Sequence, residues 1–163
     1  MILYFSGTGN SRTVAHCLGK LLECDVADMS ATQQIPDLGF TKSLGLVFPV
    51  YAWGLPNVVE QFVGRLNLLA DDVYVWAVMT CGDDMGYADT ILDKCLYRAS
   101  GRHVQSVYSV PMPNTYVCLP GFDVDAPEVA SAKVEHTRNF LPAIARGIRL
   151  QAKECNVERG AFP

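Results

Sequence analysis

The 163-residue chain predicts an α/β fold: a three-layer sandwich in which helices cover both faces of a five-stranded parallel sheet of order 2-1-3-4-5. Three observations predict it. Strand and helix patterns alternate five times along the chain, with no internal repeat or low-complexity tract. Leu44–Val50 and Val73–Thr80 are continuous apolar runs, the pattern of parallel strands buried on both faces. The first strand drops directly into a small polar cluster that opens a helix, and right-handed crossovers leave few strand orders for such a series.

The first strand is the apolar run Ile2-Leu3-Tyr4-Phe5, followed at once by Ser6-Gly7-Thr8-Gly9-Asn10-Ser11. Val14, Leu18, Leu21 and Leu22 then recur at three- and four-residue spacing and make one apolar helix face. Cys24–Met29 alternates enough for a short strand, and Asp25 and Asp28 mark it as lying at or near an edge. Ser30–Ser43 has no pattern that decides between a short helix and an irregular crossover. After the strand Leu44–Val50, Pro56 opens a helix that buries Val59, Phe62, Val63, Leu66 and Leu69. After the strand Val73–Thr80, Ala88, Ile91, Leu92, Cys95, Leu96 and Ala99 keep helical spacing up to Gly101, placed for a left-handed C-terminal cap. His103–Pro111 alternates as a fifth strand, and Met112–Asp125 is irregular. Pro127 opens a last helix with Val134, Leu141, Ile144 and Ile148 among its apolar positions, and Pro142 inside that pattern requires a kink or a restart.

Half the residues are hydrophobic, enough for one domain over residues 1–163, and no stretch reads as a linker. A net charge of −4 argues against a nucleic-acid partner and leaves no basic patch for an acidic membrane surface. The longest apolar region, Leu44–Val59, is cut by Pro49, Gly54 and Pro56 and does not read as a membrane span. With a strand beginning at residue 2 and no leader ahead of it, a cytoplasmic location is expected. The cysteines at 17, 24, 81, 95, 118 and 155 form no C-x-x-C pair, so reduced thiols, no iron–sulfur cluster and no metal are expected. Cys17 and Cys95 read as small core residues on apolar helix faces. His16, His103 and His136 lie far apart and join no serine or cysteine at triad spacing, so hydrolysis has no support.

The loop from Ser6 to Ser11 is suited to an anion. A first helical turn has unpartnered N–H groups and the positive end of the helix dipole, while three hydroxyls and two glycines exceed what a simple capped turn needs. It is not a P-loop, because Asn10 stands where the lysine belongs. It is not a dinucleotide fingerprint either, because Arg12 replaces the third glycine. In a sheet of this order, two further loops meet it at the carboxyl ends of the strands: Pro49-Val50-Tyr51-Ala52-Trp53-Gly54, and the loop from Cys81 to Tyr87 that follows Thr80. Tyr51 and Trp53 suit the stacking of a flat ring, since Trp53 lies past a strand end beside Gly54, where core packing is less expected. Tyr87 fits stacking or packing against the sheet. Asp83 and Asp84 read as acids capping a helix start. Cys81 lies in the site, and a nucleophilic role would need a lowered pKa.

These motifs carry a resemblance. Ser6-Gly7-Thr8-Gly9-Asn10-Ser11 resembles the FMN phosphate loop of the flavodoxin family. Together with Pro49-Val50-Tyr51-Ala52-Trp53-Gly54-Leu55-Pro56, Thr80-Cys81-Gly82-Asp83, Met112-Pro113-Asn114-Thr115-Tyr116 and Pro120–Asp125, it resembles the flavodoxin-type half of bacterial flavodoxin–ferredoxin fusion proteins, without the ferredoxin module. The resemblance implies a flavodoxin-like FMN-binding flavoprotein acting in low-potential electron transfer. Its partners would be redox proteins, such as a separate ferredoxin or a flavin-dependent reductase. It implies FMN contacts from Ser6, Gly7, Thr8, Gly9, Asn10, Ser11, Pro49, Val50, Tyr51, Ala52, Trp53, Gly54, Thr80, Cys81, Gly82, Asp83 and Tyr87. Two other functions compete: an NAD(P)H-dependent FMN or quinone reductase of the same fold, and a regulatory domain that has lost its cofactor. Met112–Phe122 leaves the fifth strand on the site's side and reads as a stiff cover or a plain connector.

Overall fold

The structure, a computed structural model, describes residues 1–31, 38, 41–66, 72–117 and 123–160. Its strands are β1 (Ile2–Tyr4), β2 (Val26–Asp28), β3 (Ser43–Pro49), β4 (Tyr74–Cys81), β5 (Ser106–Pro111) and β6 (Cys155–Asn156). Its helices are α1 (Asn10–Leu22), α2 (Asn57–Val63), α3 (Ala88–Ser100) and α4 (Pro127–Arg149). All strand pairs are parallel, and the sheet order is β2-β1-β3-β4-β5-β6.

Alternate side chains of the central strands feed two cores. On one face Leu44, Leu46 and Phe48 of β3 and Val75, Ala77 and Met79 of β4 pack with Val59 and Phe62 of α2 and Leu92 and Leu96 of α3. On the other, Val47, Trp76 and Val78 pack with Val14 and Leu18 of α1 and Leu141, Ile144 and Ile148 of α4. Gly45 makes room for the Trp76 ring, which a Cβ at that position would strike. No described helix is long and apolar enough to cross a membrane.

The five-strand expectation is corrected by β6. This strand is two exposed residues long, Cys155 and Asn156, and too short to show an alternation. What holds it is polar: the Val107 N–H donates to Glu154 O (2.8 Å), and the Tyr74 hydroxyl reaches Ala152 O (2.7 Å) and Ser106 Oγ (2.8 Å). The Tyr108 hydroxyl donates to Glu154 Oε2 at 2.9 Å.

Several boundaries also move. Strand β5 starts at Ser106 rather than His103, because Asp93 takes up the Val104 N–H (2.9 Å) and the His103 ring (2.9 Å) in closing the turn. Helix α2 ends at Val63 with Gly64 as its cap; Leu66 is buried just beyond, and Leu69 lies outside the described residues, as does most of Ser30–Ser43. Ile91 is on the exposed side of α3. Cys17 is exposed, since the buried stripe of α1 runs through Ser11, Val14, Ala15, Leu18 and Gly19, and Cys17 is turned about 100° from Leu18 in the sense opposite to Gly19. Cys95 is half-buried, with its thiol against Glu60 O. Helix α4 runs unbroken through Pro142, which lies on its exposed side with Arg138.

Candidate functional site

The sheet order reverses between β1 and β3, and the loops that follow these strands, with that after β4, line the carboxyl edge beside this point. Gly9, at φ 103°, begins α1; no side chain caps the helix and no acid stands in its first turn. A Cβ on Gly9 would meet nothing within 4 Å, so the positive end of the helix opens on free space. The hydroxyls divide their work. Ser6 Oγ accepts the Gly9 N–H (3.0 Å), which shapes the loop. Ser11 is buried, and its hydroxyl pairs with Thr80 Oγ1 (2.8 Å), tying α1 to β4. Asn10 Nδ2 donates to Pro113 O at 3.0 Å, and Thr8 Oγ1 lies 3.3 Å from Thr115 Oγ1 at the surface.

Pro49 ends β3, and the Val50 N–H bonds Thr80 O (2.8 Å). Tyr51 and Gly54 then exchange backbone bonds (3.1 and 2.9 Å) around Ala52 at φ 47° and Trp53 at φ 60°. This is a tight turn of the primed type, built without the glycine or asparagine that its left-handed backbone favours. Strain of this sort persists only where neighbours enforce it. Tyr51 and Trp53 are each 48% exposed, so neither is a core aromatic. The Tyr51 hydroxyl sits against Gly7, which has no room for a Cβ there, and its ring stands edge-on to Phe5 at 6.4 Å.

The loop after β4 locks onto this turn. Asp84 Oδ1 accepts the Trp53 indole N–H at 2.7 Å, and Gly86, at φ 53°, lies so close beneath Trp53 that a side chain there would collide with it. Tyr87 is 50% exposed and so is not packed against the sheet. The capping expectation for Asp83 and Asp84 is corrected: α3 begins only at Ala88, Tyr87 holds the cap position and Asp89 is the first-turn acid. Asp83 instead accepts from Lys133 Nζ (3.1 Å), and Asp84 serves Trp53. Cys81 is buried at the end of β4, where burial first, then the Asp84 and Asp83 carboxylates, push its thiol up to about 12. That is the reverse of what a nucleophilic thiolate requires.

The described part of the loop after β5, residues 112–117, touches two of these loops. Pro113 and Thr115 meet the Ser6–Ser11 loop, and the Asn114 side chain abuts Gly82, leaving about the space of a tight Cβ contact (3.3 Å). Asp125 Oδ2 fixes the loop by accepting from the Asn114 N–H (2.9 Å) and Lys133 Nζ (2.7 Å). Those bonds hold the Asp125 carboxyl below its ordinary value. Burial works against the Lys133 charge, but its bonds to Asp125 and Asp83 outweigh this and raise its pKa. Lys133 escapes a reading of the sequence, since an ordinary surface residue carries no motif, whereas Thr115 and Asp125 stand in two of the motifs of the resemblance without being singled out as site residues. Among the described residues no cluster of three or more His, Cys, Asp or Glu is arranged to hold a metal ion.

No protein-family model matches the chain, and no curated protein matches it. Solved structures do. The two-electron reduced flavodoxin of Megasphaera elsdenii is 19% identical, with 85% of this chain and 99% of that one covered at a TM-score of 0.55. The NAD(P)H:quinone oxidoreductase of Methanothermobacter marburgensis is 14% identical, with 88% and 94% covered at 0.56. The Trp repressor binding protein of Bacillus subtilis is 10% identical, with 90% and 96% covered at 0.60. At these identities the likeness is one of architecture: the chain has the α/β flavodoxin-like fold, with a sixth strand added to its parallel sheet.

Proposed function

We propose that this chain is an FMN-binding flavoprotein that carries electrons between proteins. The observation that supports the reading most is the pairing of an uncapped, acid-free helix start with three half-exposed aromatics, Tyr51, Trp53 and Tyr87, on the adjoining loops. These residues fit FMN: the N–H groups of the first turn and the Thr8 hydroxyl suit its phosphate, and the open space at Gly9 admits it. The aromatics suit its ring by stacking, and the backbone of Gly82 and Asp83 suits the ring edge. Ser11 and Thr80 act behind the site by fixing α1 on β4, and Pro49 and Val50 by fixing the Tyr51 turn. When bound, FMN supplies redox chemistry that no side chain here has. The inert Cys81 thiol fits a carrier that forms no covalent bond with its cofactor.

The resemblance to the flavodoxin half of flavodoxin–ferredoxin fusions supports an iron–sulfur centre as the redox partner. An absorbance spectrum during anaerobic stepwise reduction, with and without NADPH, tests the reading. A flavin that is reduced by a photochemical donor but not by NADPH is expected; rapid reduction by NADPH would favour the reductase, and a protein that stays colourless with added FMN would contradict both.

A further inference from the structure

We infer that the segment after β6, Val157–Gly160, positions the aromatic rim of the site, with Arg159 as its anchor. Leaving β6, this segment runs along β5 toward the carboxyl edge of the sheet, where the Glu158 N–H bonds Ser109 Oγ at 2.7 Å. There it grips the loop after β4 from outside. Glu158 O accepts the N–H of the fully buried Met85 at 2.9 Å. The Arg159 guanidinium forks onto the buried Asp89 carboxylate (2.6 and 2.5 Å) and donates to Gly86 O at 3.0 Å. It also lies over the Tyr87 ring, 5.2 Å from the centroid. Gly160 comes so close to Asp84 that a side chain on it would collide with that carboxylate.

The gripped residues are those that hold the rim. Asp84 and Gly86 both touch Trp53, and Tyr87 is itself a rim residue. Trp53 sits in a left-handed conformation that a bulky side chain disfavours, so its place depends on these neighbours. A planar fork on a carboxylate fixes orientation as well as distance, which a lysine does not. Arg159 is therefore a positioning residue that acts on Trp53 and Tyr87 through the loop.

The role in flavin binding rests on the reading above, but the positioning of Trp53 does not, and the test separates them. Acrylamide quenching of tryptophan emission in flavin-free protein reports on Trp53, because Trp76 is buried. In Arg159→Ala the quenching constant is expected to change by about twofold, with Arg159→Lys in between, while far-ultraviolet dichroism stays unchanged. With FMN added, the same variants should bind about tenfold more weakly and shift the flavin potential, as expected when a supporting contact is lost. Wild-type quenching in the folded variants would overturn the inference. Should Arg159→Ala not fold, Arg159→Lys alone decides. A wild-type protein that binds no FMN would overturn the proposed function and leave the quenching result to judge the positioning role.

Discussion

At Ala52 and Trp53 the backbone takes two consecutive left-handed conformations with side chains attached, and each costs on the order of 1–2 kcal/mol. The position is exposed, so ordinary surface reasoning expects substitutions there to be nearly neutral. The turn predicts otherwise. Ala52→Val should destabilise by about 1–2 kcal/mol, since a β-branched residue tolerates positive φ poorly, whereas Ala52→Gly should be neutral or stabilising by up to about 1 kcal/mol. Chemical denaturation checks both, and equal effects would count against strain in the turn. At Cys81 the thiol, raised to about 12, stays protonated at neutral pH. Iodoacetamide at pH 8 should therefore spare Cys81 in the folded protein while labelling the exposed Cys17 and Cys155, read by peptide mass. Prompt labelling of Cys81 would mean the strand end is open.

Between elements, Lys133 of α4 latches the loop after β4, through Asp83, to the loop after β5, through Asp125. The sign of its pH dependence follows from the two shifts. A carboxyl held below its ordinary 3.8 contributes stability that is present above that pH and is lost as pH falls through the lower folded-state value. The Lys133 shift is upward, so its contribution is present below 10.5 and is lost only as pH rises through its folded-state value. Below pH 10.5, acidification should therefore be what opens the latch. Thermal unfolding of Asp125→Asn should depend less on pH below 3.8 than that of the wild type, and parallel curves would remove Asp125 from the acid response. The same scale shows where the sequence was legible. Helices α1, α3 and α4 announce themselves because burial of one face imposes a period on side chains, and strands β3 and β4 because burial of both faces leaves continuous apolar runs. Strand β6 and the segment after it do not, because backbone pairing and a single arginine fork leave no period to read.

For the whole molecule, the carboxyl edge gathers loops from four strands into one surface; the sequence pointed to three of them by glycines, hydroxyls and aromatics and to the fourth, after β5, by strand order. It did not divide the hydroxyls: Ser11 and Thr8 look alike as letters, yet one is buried against Thr80 and the other faces solvent. Nor did it show that Tyr87 stands clear of the sheet, since a helix-start aromatic fits either side until the Arg159 contact is seen. In the proposed function an uncapped helix start and an aromatic rim together hold a phosphorylated flavin. Calorimetric titration of flavin-free protein with FMN, riboflavin and FAD tests it most directly. One FMN per chain is expected, bound at least about tenfold more tightly than riboflavin because its phosphate would meet the first turn of α1, with FAD far weaker. Equal affinities for FMN and riboflavin, or no binding of either, would contradict it.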